Sequence, residues 1–156
     1  GIMLGLFKKA IKIYAPMNGN VVDITEIDDP VFSQKMVGDG VAIIPESMDV
    51  LAPMDGEITQ FFETGHAFSI KNGDIEILVH VGMDTVELKG EGFTKIKKVG
   101  DTVKHGDVIL KVDLRKIEEL GKKIDTPIVV MDAEDKEIKK ITGAATAGET
   151  VIMEVK

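Results

Sequence analysis

The chain has 156 residues, 44% of them hydrophobic, no cysteine and a formal charge of −8. That length supports one domain with a buried core. The missing cysteines exclude disulfides, thiolate metal sites and thiol nucleophiles, and the acidic balance, without a basic stripe, argues against a nucleic-acid partner.

Residues 1–12 read as an N-terminal tail, with Gly1-Ile2 as a pair appended ahead of Met3. Met3 to Ile13 mixes apolar residues with lysines and lacks the apolar region and cleavage site of a signal peptide. A weak interfacial helix is the alternative to a ragged terminus there. No apolar run in the chain approaches the roughly 20 residues that span a bilayer. The single domain is expected over residues 13–156, with its first strand at Ile11–Tyr14.

Turn signals then punctuate the chain at Asn18-Gly19, Asp39-Gly40, Asp55-Gly56, Asn72-Gly73, Gly100-Asp101, Gly106-Asp107 and Ala147-Gly148. Asn-Gly and Asp-Gly tolerate positive φ and favour tight hairpins. Between them lie β-branched or alternating runs at 19–24, 40–44, 56–61, 66–70, 75–81, 108–112, 127–130 and 150–155. Two stretches read as helix. Pro30–Lys35 makes a short turn capped by Asp28 or Asp29. Asp113–Lys123 places Leu114, Ile117 and Leu120 at helical spacing, with Asp113 as N-cap and Gly121 as stop. The class is therefore all-β: an antiparallel β-sandwich or flattened barrel with Greek-key or jelly-roll connections and one or two short surface helices. Ala15-Pro16-Met17-Asn18-Gly19 recurs as Ala52-Pro53-Met54-Asp55-Gly56, which suits pseudo-symmetric hairpins.

Only three histidines occur, and two of them, His66 and His80, are fourteen positions apart on two neighbouring strand-like runs. A turn at Asn72-Gly73-Asp74 brings them together. Two close imidazoles can share a metal ion or a phosphoryl group. If Ile75, Ile77, Val79 and Val81 face the core, His80 and Leu78 face the other way. His66 shares its parity with Phe68 and Ile70, which favours the core; a bulge or a rim position reconciles it with its partner. His105, in a Gly-Asp turn, is expected to be simply solvated.

The run Asp29 to Ile43, the segment Ala52-Pro53-Met54-Asp55-Gly56, the run Glu63-Thr64-Gly65-His66-Ala67-Phe68-Ser69-Ile70 and the stretch His80 to Phe93 closely resemble the glucose-specific IIA family of the phosphoenolpyruvate-dependent sugar phosphotransferase system. The most specific piece is Asp84-Thr85-Val86-Glu87-Leu88-Lys89-Gly90-Glu91-Gly92-Phe93. The resemblance runs from about Ile13 to the C-terminus. It implies a cytoplasmic, monomeric β-sandwich phosphotransferase that needs no cofactor. By that resemblance the protein accepts a phosphoryl group from the phosphorylated carrier HPr and passes it to a cysteine on the IIB domain of a glucose-type permease. His80 matches the phosphorylated histidine, through Nε2, His66 the second active-site histidine, and Thr64 the residue that orients it. Phe32, Met36, Val37, Phe62, Leu78, Val81 and Val86 match positions ringing the histidine. From pattern alone, Phe62 and Val37 read as core. Asp29 and Asp84 match acids at the rim, suited to an arginine on the incoming carrier. Gly65 and Leu78 depart from the asparagine and phenylalanine common in the family.

Two other readings compete. Pieces of the chain look like biotinyl or lipoyl carriers, but no Met-Lys-Met or Asp-Lys-Ala target occurs. A zinc site at His66 and His80 needs further ligands, and relatives with this pair bind zinc when a partner supplies a carboxylate.

Overall fold

A computed structural model describes residues 9–156. The reading of the extreme N-terminus, including Gly1-Ile2 and an interfacial helix, falls mostly on residues outside that range. Ile11 and Lys12, assigned to the tail from sequence, belong to the fold: β1 (Ile11–Tyr14) pairs them with Val155 and Glu154.

The expected all-β class is what the backbone forms. Strands β2 (Gly19–Asp23), β3 (Gly38–Pro45), β5 (Gly56–Phe61), β6 (Ala67–Asn72), β7 (Ile75–His80), β9 (Thr102–Val103), β11 (Thr126–Met131) and β13 (Gly143–Ala145) make one antiparallel sheet in the order β13-β2-β3-β11-β7-β6-β5-β9. Two three-stranded sheets cover one of its faces. One joins β1, β14 (Val151–Val155) and β12 (Ile138–Lys140); the other joins β4 (Asp49–Leu51), β10 (Val108–Val112) and β8 (Phe93–Lys95). The core between these layers takes alternate residues from each strand: Val41 and Ile43, Phe68 and Ile70, Ile75, Ile77 and Val79, and Ile128 and Val130. This period of two sends the intervening side chains to the opposite face. There Ala42 and Val129 meet Ile24, Ile27, Phe32 and Met83 in a second, smaller core.

That second core forms because the connection between β2 and β3 is long enough to fold back over the sheet. A capping box nucleates its 3-10 turn Ile24–Glu26: Asp23 accepts from the Thr25 N–H, and Glu26 reaches back to the Asp23 N–H. The next turn, Pro30–Ser33, begins with Asp29 as N-cap, accepting from the Val31 N–H at 2.9 Å, and buries Phe32. The second predicted helix is Leu114–Glu119, capped by Asp113 and followed by Gly121 at φ +84°. Ile117 is buried, while Leu120 is exposed.

The repeated Ala-Pro-Met motif marks a genuine pseudo-two-fold. The Tyr14 N–H donates to the Pro53 carbonyl and the Leu51 N–H to the Pro16 carbonyl, each at 2.8 Å. The Gly148 N–H donates to the Ala15 carbonyl, as the Gly106 N–H does to that of Ala52. The sheet order reads symmetrically from both ends, with β13, β2, β3 and β11 matched by β9, β5, β6 and β7.

One predicted turn does not exist. Asp39-Gly40 lies inside β3, where a Cβ on Gly40 would sit 2.2 Å from the Ile128 carbonyl oxygen. Gly40 is required there for close backbone approach, not for a reversal. The tight hairpin is at Asn72-Gly73, with Gly73 at φ +61° joining β6 to β7.

Candidate functional site

His80 is the last residue of β7, on the face opposite the main core, as alternation from Ile77 and Val79 requires. His66 precedes β6 by one residue, in the bend that leaves β5. Alternation therefore does not govern it, and the rim position is the one the structure adopts. Gly65, at φ +80°, turns the chain, and its N–H closes back on the Phe62 carbonyl at 2.8 Å. The register Ala67↔His80 and the bond from the Val81 N–H to the His66 carbonyl, 2.7 Å, then bring the two rings together. Their centroids are 4.9 Å apart and their planes nearly perpendicular, at 83°.

Each Nδ1 is engaged. His80 Nδ1 lies 2.8 Å from the Gly82 carbonyl oxygen, which can only accept, so Nδ1 donates. His66 Nδ1 lies 2.5 Å from the Thr64 hydroxyl. Among the described residues no hydrogen bond occupies either Nε2, and no buried side-chain nitrogen or oxygen lacks a partner. Both rings thus leave Nε2 available to a ligand.

Burial keeps both rings neutral. His66 is 1% exposed, and burial first, then repulsion from His80 whenever that ring is protonated, push its pKa down to about 4. Burial also lowers the pKa of His80. The Gly82 carbonyl, Asp29 and Asp84 oppose that shift without cancelling it.

The surroundings are partly as expected. Phe32 packs on His80 at 5.0 Å and Phe62 on the edge of His66 at 5.1 Å. Met36 (71%), Val86 (53%) and Phe62 (42%) are exposed. Phe62, which reads as core by pattern, is a surface residue because it lies beyond the end of β5. Val37 is half-buried against the second core. Leu78 is buried two residues before His80 on the same face of β7, and Val81 lies wholly within the main core. Val81 presents no surface for docking: it continues the alternation of Ile75, Ile77 and Val79 and points inward with them. His105 is not merely solvated, since it stacks on Tyr14 at 4.2 Å and its N–H donates to Asp55.

Sequence reasoning did not single out Gly82 as a hydrogen-bond acceptor, nor Phe93, whose ring faces His66 at 6.4 Å. The signal for Gly82 is its place two residues after a strand-terminal histidine. No group of three or more His, Asp or Glu able to hold a metal occurs among the described residues. Among the described residues His66 and His80 bring two imidazoles together, fewer than the three protein ligands of a catalytic zinc site.

A family model of the phosphoenolpyruvate-dependent sugar phosphotransferase system, EIIA 1, matches residues 11–136. This chain belongs to that family. The glucose-specific EIIA component of Buchnera aphidicola from Acyrthosiphon pisum is 49% identical over 147 residues, covering 93% of this chain and 91% of the relative. That of Haemophilus influenzae is 45% identical over 148 residues, covering 94% and 89%. The solved glucose permease IIA from Mycoplasma capricolum superposes with a TM-score of 0.87 at 35% identity, covering 94% of this chain and 97% of that one. The EIIA chain described here is accordingly a phosphoryl-relay component of sugar uptake. No helix among its described residues is long and apolar enough to cross a membrane.

Proposed function

We propose that the phosphoryl group rides on Nε2 of His80, that His66 stabilises it in transfer, and that Thr64 sets the His66 tautomer. The observation that carries this reading is the bond from His80 Nδ1 to the Gly82 carbonyl. It leaves the proton on Nδ1 and the lone pair on Nε2, open to an incoming phosphorus atom. As the new N–P bond forms, the donor's N–P bond breaks and the donor nitrogen keeps that electron pair. The His80 ring gains positive charge, which the Gly82 carbonyl dipole, Asp29 and Asp84 stabilise. The Thr64 hydroxyl, donating to His66 Nδ1, puts a proton on His66 Nε2, where it can donate to the phosphoryl oxygens. Positioning and charge stabilisation suffice, because the donor is already an activated phosphohistidine.

The donor in this reading is the phosphorylated carrier HPr, the acceptor the IIB cysteine of a glucose-type permease, and the setting the cytoplasm. The chain acts as a monomer and needs no cofactor. Met36, Phe62 and Val86 form the exposed apolar rim for docking, backed by Phe32, Val37 and Leu78, and exclude water from a labile phosphoramidate. Asp29 and Asp84 meet a cationic side chain of the carrier, which favours orientation and association rate.

The test is intact-mass spectrometry at mildly alkaline pH after incubation with phosphoenolpyruvate, enzyme I and HPr. The expected result is an acid-labile gain of about 80 Da, one phosphoryl group, absent in His80→Gln. His66→Gln should still be phosphorylated by HPr but donate poorly to IIB. No gain in mass while HPr is phosphorylated would sink the assignment.

A further inference from the structure

The tautomer of His80 depends on a carbonyl two residues further along the chain. An extended strand does not fold the carbonyl of residue i+2 back onto the side chain of residue i, so β7 has to break just after His80. Three consecutive peptide planes are pinned there. The Val81 N–H donates to the His66 carbonyl at 2.7 Å, which fixes the first. The Met83 N–H donates to the Lys123 carbonyl at 3.0 Å, which fixes the third, the plane that carries the Gly82 oxygen. The middle plane, between Val81 and Gly82, is held by a side chain: the hydroxyl of Thr85 donates to the Val81 carbonyl at 2.6 Å.

Thr85 is wholly buried and touches neither imidazole in any hydrogen bond or ring contact described above. Its two branches do separate work. The methyl fills the space that a side chain at position 82 would need, since a Cβ there would lie 2.4 Å from it. The hydroxyl anchors the plane about which Gly82, at φ +81°, turns. A buried hydroxyl is costly unless bonded, and its one bond goes to the peptide that sets the direction of the Gly82 carbonyl.

We infer that Thr85 is a positioning residue for phosphoryl transfer, acting through the Val81 carbonyl and Gly82 to hold His80 in the Nδ1–H form. This rests on the reading of His80 as the phosphoryl acceptor.

The experiment compares Thr85→Val, which keeps the shape and loses the hydroxyl, with Thr85→Ser, which keeps the hydroxyl and loses the methyl. The primary readout is the imidazole 15N spectrum of His80 at pH 8, which reports the tautomer whatever the protein's function. Wild type and Thr85→Ser should show protonated Nδ1. Thr85→Val should show a mixture, with phosphorylation by phospho-HPr slowed about tenfold, the rate equivalent of one weakened hydrogen bond to a group gaining charge. A folded Thr85→Val with an unchanged His80 tautomer would overturn the inference. So would a folded Thr85→Ser that loses the tautomer, because the methyl would then be the controlling group. If Thr85→Val does not fold, Thr85→Ala takes its place, read against Thr85→Ser: an Nδ1–H tautomer lost in the alanine variant and kept in the serine variant upholds the inference, and one kept in both overturns it. A tautomer shift in a protein whose wild type is never phosphorylated would uphold the positioning role and remove the relay assignment instead.

Discussion

Replacing Gly82 by alanine probes the joint between fold and site. Gly82 adopts φ +81°, and an added Cβ would meet the Thr85 methyl at 2.4 Å and the Lys123 carbonyl oxygen at 2.9 Å. Two costs follow. The left-handed backbone costs an alanine about 1 kcal/mol. Forcing a methyl against a packed side chain and a fixed carbonyl costs about 1–3 kcal/mol more. The control is Gly73, also left-handed at φ +61°, where a Cβ would meet nothing within 4 Å. Gly73→Ala should therefore carry the backbone cost alone. For a chain of this size each kcal/mol corresponds to about 2–4 °C in Tm, so Gly82→Ala should melt about 5–15 °C below wild type and Gly73→Ala about 2–4 °C below. Urea titration gives the same comparison in free energy. The site should register the difference too. Gly82→Ala should disturb the His80 Nδ1–H tautomer, and Gly73→Ala, at the far end of β7, should leave it intact. Equal losses of stability in the two variants would refute the steric argument. An undisturbed tautomer in Gly82→Ala would refute the claim that this carbonyl's direction is set by the turn.

Two further tests address the second imidazole. Thr64→Val removes the only hydrogen-bond partner of His66 Nδ1 described here; it should cost about 1–2 kcal/mol in a urea titration and slow donation to IIB more than acceptance from HPr, as single-turnover transfer would reveal. The pH dependence of stability follows from the depressed pKa values of both histidines. Below the ordinary imidazole value the unfolded chain binds protons that the folded site refuses. The stabilisation is therefore complete above about pH 6.5 and drains away as pH falls toward about 4, the value for His66. For His66 that loss is roughly 2–3 kcal/mol, and His66→Gln should flatten the denaturation midpoint over this range. A midpoint equally pH-dependent in wild type and variant would place the effect elsewhere.

Much of this was legible from local sequence where local chemistry decides. The alternation of Ile75, Ile77 and Val79 put His80 on the outer face, Asp29 and Asp113 marked helix starts, and the recurring Ala-Pro-Met motif marked a symmetry. Where two backbones approach each other, the sequence was mute or misleading. Asp39-Gly40 has the composition of a turn, yet Gly40 is in a strand because Ile128 leaves no room for a Cβ. His66 shares its parity with Phe68, but the bend before β6 cancels the parity rule. The short strands β4, β8, β9, β12 and β13 carry too few residues for any period to show. Val81 fits a family pattern of residues around the histidine, yet the alternation of Ile75, Ile77 and Val79 already assigned it to the core face, where it lies.

The pseudo-two-fold also explains why the site occurs once. The register sets Gly38, Asp39 and Val129 where the other half has Gly65, His66 and His80. Asp39 is bound by Lys140 at 2.7 Å, and Val129 is sealed in the second core. The difference lies in the connections. Residues 24–37 join β2 to β3 and fold over the outer face of the sheet, covering Val129 and laying Phe32 against His80. The equivalent link from β5 to β6, residues 62–66, is too short to cover anything. It leaves the outer edge of His80 open and contributes a bend that carries Thr64 and His66, with Phe62 on the edge of the His66 ring. One half thus supplies the wall and the other the chemistry, and because both flank the same axis, the long connection of the first shelters the nucleophile of the second. Lengthening the 62–66 link should close the face over His80, as the 24–37 connection closes it over Val129. Urea titration should show a cooperatively folded sheet while phosphorylation by phospho-HPr is lost, and a folded variant phosphorylated at the wild-type rate would refute this.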